Sequence, residues 1–280
     1  MSASPFRGLN LKLAKAQTAG ILQIEIGRTL RSGRIWFVIL LAGLPVLLFA
    51  LRLLVGPHHE AHHYSEVGGH SGMYAILFQS FFIRILVFFG CVALFMNAFR
   101  GEIAEKTLHY YLLCPVRRDV LAAGKFLSGW IVAAAAFCLS AALSYLLIFA
   151  SPPGILESFV LEGPGKWHLL AYVAITAMAC AGYGALFLLL GLFFRNPILP
   201  AAVVLGWESI NFLLPPVLKK ISVVYYLDSL SPVPIPIGAI AILSDPAPAW
   251  LAVSGLLALT TIAFAAAAWR LKNTEIAYSE

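Results

Sequence analysis

Long apolar runs alternate along the chain with short polar connections. Six of them, approximately Ile35–Leu54, Met73–Phe99, Phe126–Ala150, Leu169–Phe194, Ile198–Leu218 and Trp250–Trp269, are long enough to cross about 30 Å of hydrocarbon at about 1.5 Å per residue. The pattern predicts an all-α integral membrane protein with six transmembrane helices. Pro215–Pro216 marks a point at which the fifth can end early. No repeat of fixed period is visible.

Three further stretches have their own character. Residues 9–34 mix Leu13, Ile21, Ile24 and Ile26 with Lys12, Lys15, Arg28 and Arg31. They predict an amphipathic helix lying in the membrane interface, although Gly20 and Gly27 weaken its helix propensity. Residues 100–125 form the largest loop on one face. Within it, residues 102–113 have the pattern of a short helix that Pro115 stops. Residues 219–249 form a long segment on the other face. Its apolar stretch Val233–Leu243 is too short to span and is broken by Pro232, Pro234 and Pro236, which predicts a re-entrant hairpin before helix 6. The expected organisation is a tail over 1–34 and one transmembrane domain over 35–280, with an outer loop at 55–72.

Composition excludes the main alternatives to a membrane protein. Of 280 residues, 61% are apolar and only 11% are charged, against about 45–50% and about 25% in soluble domains. Disordered chains have the opposite balance. The net charge of +6 does not point to nucleic acid, because basic residues in such a chain collect in cytoplasmic loops. Fourteen of the Lys and Arg residues fall in the N-terminal tail, the 100–125 loop, the turn at Arg195 and the C-terminal tail. Arg52, Lys166, Lys219 and Lys220 fall on the opposite side, and Arg84 lies within a helix. That bias places both termini in the cytoplasm. Trp36 and Trp269 at one face, and Trp167 and Trp250 at the other, fit interfacial anchors. The polar N-terminus predicts no cleavable signal peptide. Cys91, Cys138 and Cys180 in apolar runs, and Cys114 in the basic loop, lack metal-ligand spacing and read as small packing residues.

Two features carry chemistry. Arg84 in helix 2 and Glu208 in helix 5 each lie about 15 Å into their spans, near mid-membrane. A lone charge there costs about 3 kcal/mol or more, so protein or a wet cavity must surround it. Opposite signs at one depth predict a pair, either a structural tie between the helices or a polar element of a translocation path, with Gln79, Asn97 and Asn211 as polar neighbours. The second feature is the outer loop with His58, His59, His62, His63, Glu66 and His70. The i,i+4 spacing of His58/His62 and His59/His63 suits a loosely held transition metal. The neighbouring Pro57 and Gly68-Gly69 favour a solvated, pH-responsive loop, since no closed ligand set is specified.

The 100–125 loop also carries a family resemblance. Glu102, Glu105, Thr107-Leu108, Leu112-Leu113, Pro115-Val116, Arg118 and Gly124-Lys125 resemble the cytoplasmic loop signature of ABC-2-type transporter permeases. Lys106 stands where that pattern has Gly. The segment Glu25-Ile-Gly-Arg-Thr-Leu-Arg-Ser-Gly-Arg34 is similar to the family's stretch before helix 1. The resemblance implies a permease subunit of an exporter in a bacterial inner (cytoplasmic) membrane. It implies a second permease as homodimer or related partner, and a separate cytoplasmic ATPase that holds ATP and magnesium. It assigns Glu102, Glu105, Thr107, Leu108, Leu112, Pro115 and Arg118 to a coupling helix, residues 9–34 to a connecting helix, and the central path to helices 2 and 5, where the buried charges make Arg84, Glu208, Gln79 and Asn211 the candidate path residues. No catalytic residue and no cofactor is expected in this chain. The chain contains no G-x-x-x-x-G-K-[ST] motif, so ATP energy would have to arrive through another subunit.

Rival classes explain less. Bis-imidazole haem ligation requires histidines inside facing helices, and no G-x-S-x-G hydrolase motif occurs. An ion- or proton-coupled secondary transporter could use Arg84 and Glu208 but leaves the 100–125 loop unexplained. A metal-handling protein would rest on the histidine loop alone.

Overall fold

The computed structural model describes residues 10–55, 67–99, 118–150, 156–194, 196, 198–211, 214–233 and 247–273. Among these residues the structure is helical and has no strand. The helices are α1 (Asn10–Arg31), α2 (Gly33–Val55), α3 (Val67–Leu77), α4 (Phe88–Phe95), α5 (Arg118–Phe149), α6 (Gly165–Phe193), α7 (Ile198–Ser209), α8 (Pro216–Lys219), α9 (Val223–Ser229) and α10 (Ala249–Lys272). A π-helical stretch, Phe78–Val87, joins α3 to α4, and another, Leu156–Leu161, precedes α6. Five helical segments are long and apolar enough to cross a membrane: Gly33–Leu54, Gly68–Phe99, Arg118–Phe149, Gly165–Phe193 and Ala249–Leu271.

The differences from the sequence reading have physical causes. Residues 67–72, expected as loop from their glycines, are the first turns of α3. They are held by packing, with His70 buried against the Phe149 ring at 6.2 Å. Residues 118–125, expected as loop from their charge, are the base of α5, because Lys125 is neutralised inside the protein. The predicted fifth span Ile198–Leu218 stops at Ser209, six residues before Pro215. At 12 residues, α7 covers only about 18 Å and is too short to cross by itself. Part of the predicted outer segment is buried: Val223, Val224 and Leu227 of α9 are almost inaccessible. Most of Val233–Leu243, the coupling-helix residues 102–113, and His58, His59, His62 and His63 lie outside the described residues.

α5 and α6 form the centre, with α1, α2 and α10 packed on them. The segment 67–95 packs against both through an aromatic ladder. Tyr74 meets Tyr145 at 5.1 Å and Tyr172 at 4.9 Å, Phe78 meets Tyr172 at 4.6 Å, and Phe88 meets Phe187 at 5.0 Å, all edge-on. Edge-on pairs match ring quadrupoles, and buried tyrosines need a partner for the hydroxyl. Tyr74 donates to the Ala141 carbonyl at 2.9 Å and Tyr145 to the Gly165 carbonyl at 3.1 Å. Cys91 and Cys180 are buried free thiols within this packing, and Cys138 is a half-buried one.

The ends of the helices fix how the chain passes through the bundle. At one end, Arg118 donates to the Leu271 carbonyl at 3.2 Å, the Arg270 guanidinium sits 5.1 Å over the Phe193 ring, and Arg34 reaches the Asn97 carbonyl at 3.5 Å. The start of α2, the end of the 68–99 segment, the start of α5 and the ends of α6 and α10 therefore share one face. Exposed Trp36 and Trp269 ring that face, and exposed Trp167 and Trp250 ring the other.

Membrane helices without a hydrophobic drive between them rely on close approach at small residues. Gly191 of α6 is one such point: a Cβ there would lie 2.6 Å from the Met96 carbonyl oxygen. Backbone cannot yield as a flexible side chain can, so Gly191→Ala is expected to destabilise by about 1–3 kcal/mol. Gly206 of α7 has nothing within 4 Å of its Cβ direction, and Gly206→Ala should be neutral or stabilising by up to about 1 kcal/mol. Apparent melting temperatures in one detergent compare the two; a Gly191→Ala protein as stable as Gly206→Ala contradicts the close-approach argument.

Candidate functional site

The cluster at bilayer depth is built on an unusual winding. Over Phe78–Val87 the helix carries i→i+5 bonds, a form found mostly as short bulges at functional sites. Gln79 and Arg84 are five residues apart. In α-winding they would point about 140° apart, at about 100° per residue; the wider π-winding narrows that angle. Both side chains reach the same strip of chain. Arg84 Nη2 donates to Asp228 Oδ2 at 2.8 Å, and Gln79 Nε2 donates to Ser231 Oγ and, at 3.1 Å, to the Val233 carbonyl.

The predicted pair of Arg84 with Glu208 is thereby corrected. Arg84 bonds Asp228, with the two side chains 30% and 33% exposed. Glu208, only 4% exposed, performs another task. Its carboxylate accepts from the Ser222 hydroxyl and from the backbone N–H groups of Val223 at 3.0 Å and Val224 at 3.2 Å. Ser222 in turn accepts from Tyr225 N–H at 3.4 Å and from Asn211 Nδ2 at 2.7 Å. The first N–H groups of a helix have no intrahelical partner, and a carboxylate at the positive end of the helix dipole favours both. Glu208 thus caps α9 and holds it in place for Asp228. Glu208 still feels the charge of Arg84. Fully buried Tyr183 of α6 lies in the field of Arg84, Asp228 and Glu208 and has no hydrogen-bond partner for its hydroxyl.

Of the four residues expected along a path, all stand around this cluster: Arg84 and Gln79 on one side, Glu208 and Asn211 on the other, bridged by 222–233. Asp228, Ser222 and Ser231 were missed because the segment holding them reads as an outer loop. The usable signal was a short apolar run, Val223–Leu227, preceded by a capping serine, Ser222, and followed by one acid, Asp228.

A second ionic contact ties α1 to α5. Lys125 Nζ lies 2.8 Å from Glu25 Oε1, with side chains 1% and 9% exposed, and 5.4 Å above the Phe99 ring. Gly124 lets α1 approach, since a Cβ there would meet Ile21 Cγ2 at 2.5 Å. The motif residues Gly124-Lys125 and Glu25 are therefore one contact in space. Arg118, the one coupling residue among those described, is used at the base of α5 against the end of α10. Among the described residues no group of three or more His, Cys, Asp or Glu side chains is placed to hold a metal.

Neither a family model nor a curated protein matches this chain. The all-α bundle with membrane-length apolar helices defines its class.

Proposed function

We propose that the chain is the permease subunit of an ATP-driven transporter of the ABC-2 type, an exporter in a bacterial inner membrane. It would cross six times with both termini cytoplasmic, pair with a second permease, and be driven by a separate ATPase docking on residues 102–113. The observation that carries this reading is the clamp of α1 on the base of α5 through Glu25–Lys125 and Gly124. It joins the stretch before helix 1 rigidly to the end of the 100–125 loop, so force applied to that loop would move α1 and α5 together.

Two further points support it. α6 and α10 end on the same face, and α10 is 24 residues long, which supports a further crossing between Phe193 and Ala249. The broken stretch α7 to α9 is the candidate sixth crossing, interrupted where it lines a polar site rather than lipid. The Arg84–Asp228 pair, a third exposed, would cost too much against lipid and calls for a wet path or a second subunit beside it. The same pair favours a second reading, ion-coupled secondary transport.

The test is a mild-detergent pull-down of the tagged chain from its host, with Glu102→Ala/Glu105→Ala as control. An ATPase recovered with the wild type and reduced at least severalfold with the control is the expected result. A folded chain that brings down no ATPase removes the permease reading and leaves secondary transport.

A further inference from the structure

Tyr183 of α6 is fully buried, and its hydroxyl has no hydrogen-bond partner. A phenol can both donate and accept, and burying one unpaired forfeits the bond that water supplied in the unfolded chain. An orphaned donor in a native core therefore calls for a reason. The ring has no freedom to search for a partner, because Phe88 meets it edge-on at 5.4 Å and Phe187 stacks on it at 6.1 Å. One residue earlier, a Cβ on Gly182 would lie 3.2 Å from Val223 Cγ1, so this turn of α6 packs directly on the start of α9. The hydroxyl thus has a fixed position beside the polar cluster, in the field of Glu208, Arg84 and Asp228.

The two carboxylates differ in how firmly they are held. Glu208 accepts from one hydroxyl and two backbone N–H groups. Asp228 is held by one bond, from Arg84 to Oδ2, in a pair about a third exposed. When Arg84 lets go, Asp228 needs another donor. The neighbouring donors are in use: the Gln79 amide on Ser231 and Val233, the Ser222 hydroxyl on Glu208, and the Asn211 amide on Ser222. The Tyr183 O–H is uncommitted. We propose that Tyr183 is the second partner of Asp228, so that the carboxylate has two settings: on Arg84 of the 68–99 segment, as here, and on the Tyr183 hydroxyl of α6. The orphaned hydroxyl is a cost of the first setting that the second removes, which brings the two closer in free energy, as an exchange between them requires. An O–H donor to a carboxylate makes a strong bond without bringing in a charge. Phe88 and Phe187 hold the ring, so Asp228 is the group that moves. The inference concerns this contact alone and holds whether or not an ATPase drives the chain.

The experiment places Tyr183→Phe in three backgrounds of the purified full chain, in one detergent at neutral pH, and follows the apparent melting temperature. In the wild type the substitution removes only a hydroxyl without a partner and should raise the melting temperature by about 2–4 °C. In Arg84→Leu the hydroxyl has become the donor that holds Asp228, and the same substitution should lower the melting temperature by at least as much. In Arg84→Leu/Asp228→Leu no carboxylate is left at that position, and the shift should be upward again. A side chain that only fills space gives one sign in all three backgrounds, and that result overturns the proposal. So does a fall, or no rise, in the wild type, which would show the hydroxyl already satisfied by a bound water. A fall that persists in Arg84→Leu/Asp228→Leu assigns the hydroxyl to Glu208 and overturns the assignment to Asp228. If Arg84→Leu does not fold, Arg84→Gln takes its place, since it too leaves Asp228 without its cation, and the same reversal of sign is required of it.

Discussion

Replacing Lys125 by Met should destabilise the protein by about 3–5 kcal/mol, the usual cost of leaving one partner of a buried ion pair uncompensated. The Glu25 carboxylate is 9% exposed and loses the ammonium at 2.8 Å, which drives it to take up a proton or to pull α1 away. Glu25→Gln leaves the ammonium, which retains the Phe99 ring at 5.4 Å as a weaker partner, so its cost should be smaller. The double variant Glu25→Gln/Lys125→Met removes both charges and should recover much of the loss, because a buried pair replaced by uncharged groups of similar volume is often nearly neutral. Apparent melting temperature reads the total. Protease accessibility of α1 reads whether the helix has left the bundle. If the single Lys125 variant and the double are equally unstable, the charge on Glu25 is not what matters and the clamp rests on Gly124 and Ile21 alone. Under the permease reading, Lys125→Met should keep the ATPase bound to residues 102–113 while its hydrolysis no longer responds to substrate.

This contact also shows what a sequence withholds. The five membrane-length helices were legible because apolar length is a local property; one run of residues is enough to show it. Lys125 and Glu25 were both singled out, on stretches a hundred residues apart, yet nothing local says they meet. A lysine at the edge of an apolar run looks solvated, and only the arrival of α1 makes it the interior of the protein. The same holds for Asp228. Its neighbours suggest an outer loop, and its depth is set by Glu208, which caps α9 from a different helix. The depth of Arg84 was readable from counting residues, but its partner was not. Glu208 had the right sign and depth and was already committed to three donors. The π-winding over Phe78–Val87, which carries Gln79 and Arg84, leaves no mark in hydropathy. Boundaries failed where tertiary packing outweighed local preference, as at Gly68–Gly69 and at the end of α7.

The largest loss at the polar cluster is expected for Glu208→Leu. It removes the acceptor for one hydroxyl and two backbone N–H groups. Buried donors left without partners cost about 1–3 kcal/mol each, and Ser222, Val223 and Val224 are all buried. α9 should detach, carrying Asp228 out of reach of Arg84. Glu208→Gln keeps one acceptor oxygen and should fall between the two. The ion pair separates from the cap in two double-mutant cycles. Arg84→Leu with Asp228→Leu should show a coupling of about 0.5–3 kcal/mol, as contacting residues do. Arg84→Leu with Glu208→Gln should show a smaller one. A larger coupling to Glu208 than to Asp228 would restore the pairing read from depth alone and move the ionic contact to α7. Transport adds a second axis to the same variants. If the pair is only a strut, the Arg84→Leu/Asp228→Leu protein regains activity together with stability. If the pair opens and closes along the path, stability returns while transport stays lost, because two leucines can fill the space of an ion pair but cannot exchange its partners.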